Sequence, residues 1–190
     1  MTSADDPGWR TALRHGLISL LPGWSLLIRK RSNADGLVLL RGLLLTFSIM
    51  ILLVGVVVVV LDTSAEPFGS SSAPSAALVL IGAGVAALVA PPYLVRPLSC
   101  ESETELAKGY VQAFFLRIAF AESTALLAFV AFILTGAGWL YLIGMAFTAI
   151  GFMRLAPTAT RLAKQQEALT RTGCALLLVA ALRQHRFGRS

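Results

Sequence analysis

Apolar positions run along this chain in long stretches that charge rarely interrupts. No charged residue lies between Gly42 and Leu61 or between Ser75 and Val95, and from Ile118 to Met153 only Glu122 breaks the run. Apolar runs of roughly 18 or more residues mark bilayer spans, because a helix satisfies its own backbone polar groups in hydrocarbon. The pattern predicts four spans, at about residues 37–61, 76–95, 109–135 and 139–156. Pro91-Pro92 should end or bend the second, and Gly136-Ala137-Gly138 should turn the third tightly into the fourth. In the second span Gly82, Gly84, Ala86, Ala87 and Ala90 permit close helix contact. Ser99 could cap the helix that carries the third.

The ends follow a different period. Trp9, Leu13, Leu17, Leu20, Trp24 and Leu27 step by three or four residues and share one helical face. Pro22-Gly23 divides that stretch, so two short pieces lying in the interface are expected over residues 1–35. In the tail, 157–190, Cys174–Leu182 is apolar, but nine residues of helix reach only about 14 Å, roughly half a hydrocarbon core. Arg161, Lys164 and Arg171 fall on one side of a helix, which suits a surface-lying amphipathic helix. The expected fold is all-α: an integral membrane four-helix bundle of two antiparallel hairpins over 36–156, with amphipathic interfacial helices at both ends.

Composition agrees. Hydrophobic residues make up 56% of the 190, charged residues 14%, and mean hydropathy is +0.76; soluble domains carry about a quarter charged residues. The net charge of +6 could suggest nucleic acid, but the basic residues sit beside the spans. That placement reads as membrane orientation and contact with anionic headgroups. Lys and Arg number five before the first span, two in the middle loop and six in the tail, with none in the loop 62–74 or the turn 136–138. The positive-inside rule then puts both termini and the middle loop in the cytoplasm of a cell whose inner membrane holds the chain. The first span begins behind a cationic segment and is long enough to anchor rather than be removed. Arg41, about a turn into it, should snorkel to the headgroups. Cys100 and Cys174 lack metal-ligand spacing and fall in segments assigned to the cytoplasm, so reduced thiols are expected. Thirteen of the 16 basic residues are Arg, a bias expected of a GC-rich bacterial genome.

Chemistry rests on one residue. Glu122 lies about 13 residues into the third span, roughly 20 Å along it and near the midplane. An acidic side chain there costs on the order of 3 kcal/mol on the lenient insertion scale, so it is a functional candidate, with proton binding the natural chemistry. Structural alternatives are a carboxyl hydrogen-bonded across the bundle or a charged pair that fixes packing. Arg117 is the candidate charge partner, but it lies five residues earlier, about 140° around the helix, and could instead snorkel.

The segment Ala119-Phe120-Ala121-Glu122-Ser123-Thr124-Ala125-Leu126-Leu127 resembles the carboxylate-bearing helix of rotary ATP synthase subunit c. Ile81-Gly82-Ala83-Gly84-Val85-Ala86 faintly echoes that family's glycine-rich first helix. The resemblance covers 76–135 at most and implies a protonatable Glu122 on a helix lined with small residues. The long glycine repeat and the family's short polar loop motif are missing, while spans one and four are extra. As a whole the chain looks like a bacterial four-span membrane protein.

The sequence holds no convincing paired carboxylates, His cluster, nucleophile motif or phosphate loop, and His15 and His185 lie in the cationic ends. The expected role is therefore non-enzymatic, without cofactor or metal. An accessory or scaffold subunit, partnered by other membrane subunits or by itself, comes first; a proton-binding, transport-like subunit using Glu122 is the alternative. For the topology, a cysteine placed at Ser71 in a Cys100→Ser/Cys174→Ser background should react with an impermeant maleimide added outside intact cells. Labelling only after the cytoplasm is opened would overturn the assignment.

Overall fold

A computed structural model describes Trp9 and residues 36–62, 71–95 and 97–184. The rest of the N-terminal segment, including its two expected amphipathic pieces, lies outside the described residues, as do most of the loop 62–74 and the last six residues. The described residues are helical, without strands: α1 (Gly36–Asp62), α2 (Ala73–Val89), the single turn α3 (Pro91–Leu94), α4 (Glu103–Thr135), α5 (Trp139–Leu155), α6 (Ala159–Arg171) and α7 (Leu178–Gln184). By length and composition α1 and α4 can each cross a membrane, and α5 with α6 makes a third candidate if the break at 156–158 lies within one crossing. Alpha-helix α2 is apolar but shorter, at 17 residues.

The boundaries have local causes. Pro91-Pro92 ends α2 at Val89, and a single turn follows before Val95 becomes extended. The helix that carries the third apolar stretch starts at Glu103, three residues later than a cap at Ser99 would place it, because Ser102 caps it instead. The Glu105 N–H donates to Ser102 Oγ at 3.2 Å, while Ser99 Oγ accepts from the Glu101 N–H. Glu103 and Glu105 then suit the positive end of the helix dipole. At the other end Gly136, with φ of +71°, lets its N–H close on the Phe132 carbonyl at 2.8 Å.

The chain divides into two compact units. The unit formed by 47–95 and 114–155 is built on a seven-residue repeat. Alternating steps of four and three residues relate its buried positions: Ala73, Ala77, Leu80, Gly84 and Ala87 on α2; Phe114, Ile118, Ala121, Ala125, Ala128 and Phe132 on α4; Tyr141, Gly144, Thr148 and Gly151 on α5. Such a seam lets helices pack side by side over their length. Glycine brings them close. A Cβ on Gly144 would meet the Ala128 Cβ and lie 2.8 Å from the Thr124 carbonyl oxygen; one on Gly151 would lie 2.7 Å from the Ala121 Cβ; one on Gly84 would strike the Phe147 ring. Of the small residues on α2, Gly84 and Ala87 are buried, whereas Gly82 and Ala86 are exposed. These contacts also fix direction. Ala121 lies by Gly151 and Ala128 by Gly144, so α4 and α5 are antiparallel; Phe147 meets Gly84 and Gly151 faces Leu88, so α2 and α5 are parallel.

Polar bonds complete this unit. The Tyr141 hydroxyl donates to the Ile51 carbonyl at 2.8 Å, and the Thr148 hydroxyl to the Ala121 carbonyl at 2.8 Å. Asp62 at the end of α1 accepts from the Gly138 N–H at 3.0 Å, and a Cβ on Gly138 would lie 2.5 Å from that carboxylate. The turn thus needs its second glycine for close approach and its first for a positive φ. Around α1 the packing is one-sided: Ile51 and Val58 are buried while Leu52, Leu53, Val56, Val59 and Val60 are exposed.

The other unit contains the described residues up to Thr46, 97–113 and 156–184. Two expectations fail in it. Arg41 does not snorkel: it is 0% exposed, its guanidinium donates twice to the Pro157 carbonyl at 2.9 and 3.1 Å, and it stacks 5.2 Å from the Trp9 ring centroid. The break before α6 leaves that carbonyl without a helical donor, and the arginine fork supplies one. Cys100 and Cys174 are not free thiols but a disulfide, with Cα atoms 5.8 Å apart across 74 residues of sequence. Gly173, at φ +85°, ends α6 in a tight turn that brings Cys174 back, and Gln166 holds the following strand of chain by bonding Leu176 and Leu178. The tail is helical, as expected, but in two pieces, with Leu162, Leu169, Leu178, Ala181 and Leu182 buried.

Peptide mapping of protein purified without reductant should recover Cys100 and Cys174 in one linked pair of peptides, blocked to alkylation until reduced. Both thiols alkylated at once would remove the bridge. For a closed loop of this length the chain-entropy model gives on the order of 4 kcal/mol of stabilisation as a ceiling, so Cys174→Ser should lower the unfolding midpoint measurably.

Candidate functional site

Glu122 sits on α4 between Ile118 and Ala125, both members of its buried seam, but is itself only half-buried. A helix position is 100° from its neighbour, so a residue one place past Ala121 lies on the border of the seam rather than in it. The seam position at Ala121 is occupied by a methyl group and by the Thr148 hydroxyl that bonds its carbonyl. Glu122 therefore takes no part in the bond that crosses between α4 and α5. Its neighbour Ser123 turns back to the Phe120 carbonyl at 2.8 Å, within the same helix. No hydrogen bond or ion pair to the Glu122 carboxyl occurs among the described residues.

Arg117 lies on the opposite border of the seam and is likewise half-buried. The structure does not bring the two charges together. Arg117 instead lines a cavity of about 270 Å³ with Leu88 and Pro91 of the second helical stretch and Ala121, Gly151 and Arg154. Arg154, in the last turn of α5, is the other basic residue of that cavity. The antiparallel hairpin is the signal in the sequence that places it near Arg117: with a tight turn at 136–138, positions near 118 and 154 stand at about the same level. A larger apolar groove of about 500 Å³ runs between α1 and α5; its one carboxylate, Asp62, is engaged by Gly138.

Among the described residues no three His, Cys, Asp or Glu side chains cluster in a way that could hold a metal ion. The ion pairs present, Lys108–Glu105 and Arg171–Glu167, are exposed and local, one helical turn each. They are worth little to stability. No protein-family model, curated protein or solved structure matches the chain.

If the seam and not the carboxyl holds the helices, two conservative variants should part company. Thr148→Val should lower stability in detergent by about 0.5–1.5 kcal/mol, the worth of an interhelical bond in a membrane protein. Glu122→Gln should not destabilise at all. The reverse order in an unfolding series would mean that Glu122 bonds across the helices.

Proposed function

We propose that the protein is a four-span membrane protein, with both termini and the middle loop cytoplasmic, that serves as an accessory or scaffold subunit in a membrane complex. The four-span reading is supported by the helix directions. Up-and-down crossing requires α1 and α4 to oppose α5 and α2 to run with it. The Gly55–Tyr141, Gly138–Asp62, Gly144–Ala128 and Gly84–Phe147 neighbours have those senses. Helices α2 and α5 would each rise about 25 Å, a few ångströms short of the usual hydrocarbon thickness, which local thinning accommodates.

The observation that carries the scaffold reading is the open face of α1. Only 17% of its most apolar window is buried, although every residue from Gly42 to Leu61 is uncharged. Most of that helix is left for lipid or for other membrane helices. The Lys and Arg count supports the orientation. The disulfide pulls the other way, because structural bridges persist mainly in oxidising compartments; labelling at position 71 decides between them. Purified in mild detergent, the protein should bring other membrane subunits, or further copies of itself, at a fixed ratio. Isolation as a lone monomer would count decisively against it.

A second reading is favoured by the carboxyl of Glu122, half-buried and with no partner among the described residues: a proton-binding subunit. A hydrophobic carbodiimide reacts with the protonated acid, so it should label Glu122 in membranes at low pH and progressively less as pH rises. No labelling at any pH would sink that reading and leave the scaffold role untouched.

A further inference from the structure

The cavity beside Arg117 has no part in either reading above. Its walls are the end of α2, the Pro91 turn, and the α4 and α5 faces at Ala121 and Gly151. All belong to one compact unit. Two arginines line it, and no Asp or Glu among the described residues does. Neither Arg117 nor Arg154 has a hydrogen-bond or ion-pair partner among the described residues, and neither has a fully buried unsatisfied nitrogen. Arg117 is half-buried and Arg154 exposed, so both side chains are open to a ligand from outside the helices. Two like charges sharing one small cavity repel each other unless an anion joins them.

Depth selects the anion. Measured along the helices from the turn at 136–138, Arg117 lies roughly 27 Å down α4 and Arg154 about 22 Å down α5. On the four-span reading, on which the site rests, both helices cross hydrocarbon about 30 Å thick. Arg117 then lies within a turn of the far headgroup level, and the long Arg154 side chain can extend over the roughly 8 Å that remain. There the cavity offers an apolar wall at Leu88 and Pro91 next to ten guanidinium N–H donors' worth of fork geometry, which phosphate oxygens match in pairs. Basic pockets between transmembrane helices at this depth are suited to lipid headgroups.

We propose that Arg117 and Arg154 form a phosphate site occupied by the headgroup of an anionic phospholipid, its acyl chains lying against Leu88 and the outer face of α2. Pro91 and Pro92 line the same cavity, so the break that ends α2 is part of the site.

The test is native mass spectrometry of the full chain released from detergent micelles containing equal amounts of dioleoyl-phosphatidylglycerol and dioleoyl-phosphatidylcholine. The wild type should retain phosphatidylglycerol preferentially. Arg117→Gln/Arg154→Gln should lose that preference by about tenfold, the worth of one charge-assisted bond. Arg154→Gln alone, at an exposed position, should lose part of it without endangering the fold. The charge-matched Lys164→Gln/Arg171→Gln, outside the cavity, should keep it. Millimolar inorganic phosphate should not displace the lipid. Equal retention by the wild type and the cavity variants, or equal loss in the charge-matched control, would overturn the site. Displacement by inorganic phosphate would overturn its assignment to lipid.

Discussion

The close approach of α4 and α5 is the constraint from which the rest of the unit formed by 47–95 and 114–155 follows. In hydrocarbon there is little hydrophobic gain from helix contact, so association depends on packing and on interhelical hydrogen bonds. Gly144 and Gly151 supply the packing by admitting Ala128 and Ala121 where any side chain would clash. Thr148 supplies the bond, reaching the Ala121 carbonyl at 2.8 Å from between the two glycines. Once the two helices lie this close, the turn joining them must be short. Gly136 and Gly138 meet that need, and the Asp62 carboxylate bonded to Gly138 ties the end of α1 to the same turn.

The same seam decides where charge can sit. A seven-residue repeat of small and apolar residues has no room for a carboxylate or a guanidinium, so Glu122 and Arg117 occupy its two borders, about 140° apart. Separated in this way they do not neutralise each other. Each lies on a different side of α4, Arg117 in the cavity that Arg154 also lines and Glu122 without a partner among the described residues. The proposed roles, a lipid phosphate on one side and a proton on the other, are consequences of that separation.

Much of this could be read from the chain. The first and fourth apolar helices end within a residue or so of where charge and turn residues put them, and the Gly-Ala-Gly turn is as tight as its composition implies. Glu122 and Arg117 were seen to be on different faces from the helix period alone. What failed depended on long-range partners. Arg41 looked like a snorkelling residue because its acceptor, the Pro157 carbonyl, is 116 positions away and freed only by the break before α6. Cys100 and Cys174 looked like free thiols because nothing local announces the Gly173 turn that brings them together. Gly82 and Gly84 look alike in sequence, yet only Gly84 faces a neighbour; the seven-residue repeat, traced through Ala77, Leu80, Gly84 and Ala87, could have separated them.

That contrast gives the most direct measurement of the central claim. Gly144→Leu and Gly82→Leu add the same side chain to a glycine in the middle of an apolar helix. Only Gly144 has another helix within reach of the new atoms, whereas a Cβ on Gly82 meets nothing within 4 Å. Unfolding of the purified protein in mixed micelles should show Gly144→Leu destabilised by about 1–3 kcal/mol or more and Gly82→Leu unchanged. Equal midpoints for the two variants would contradict a fold that depends on the contact between α4 and α5.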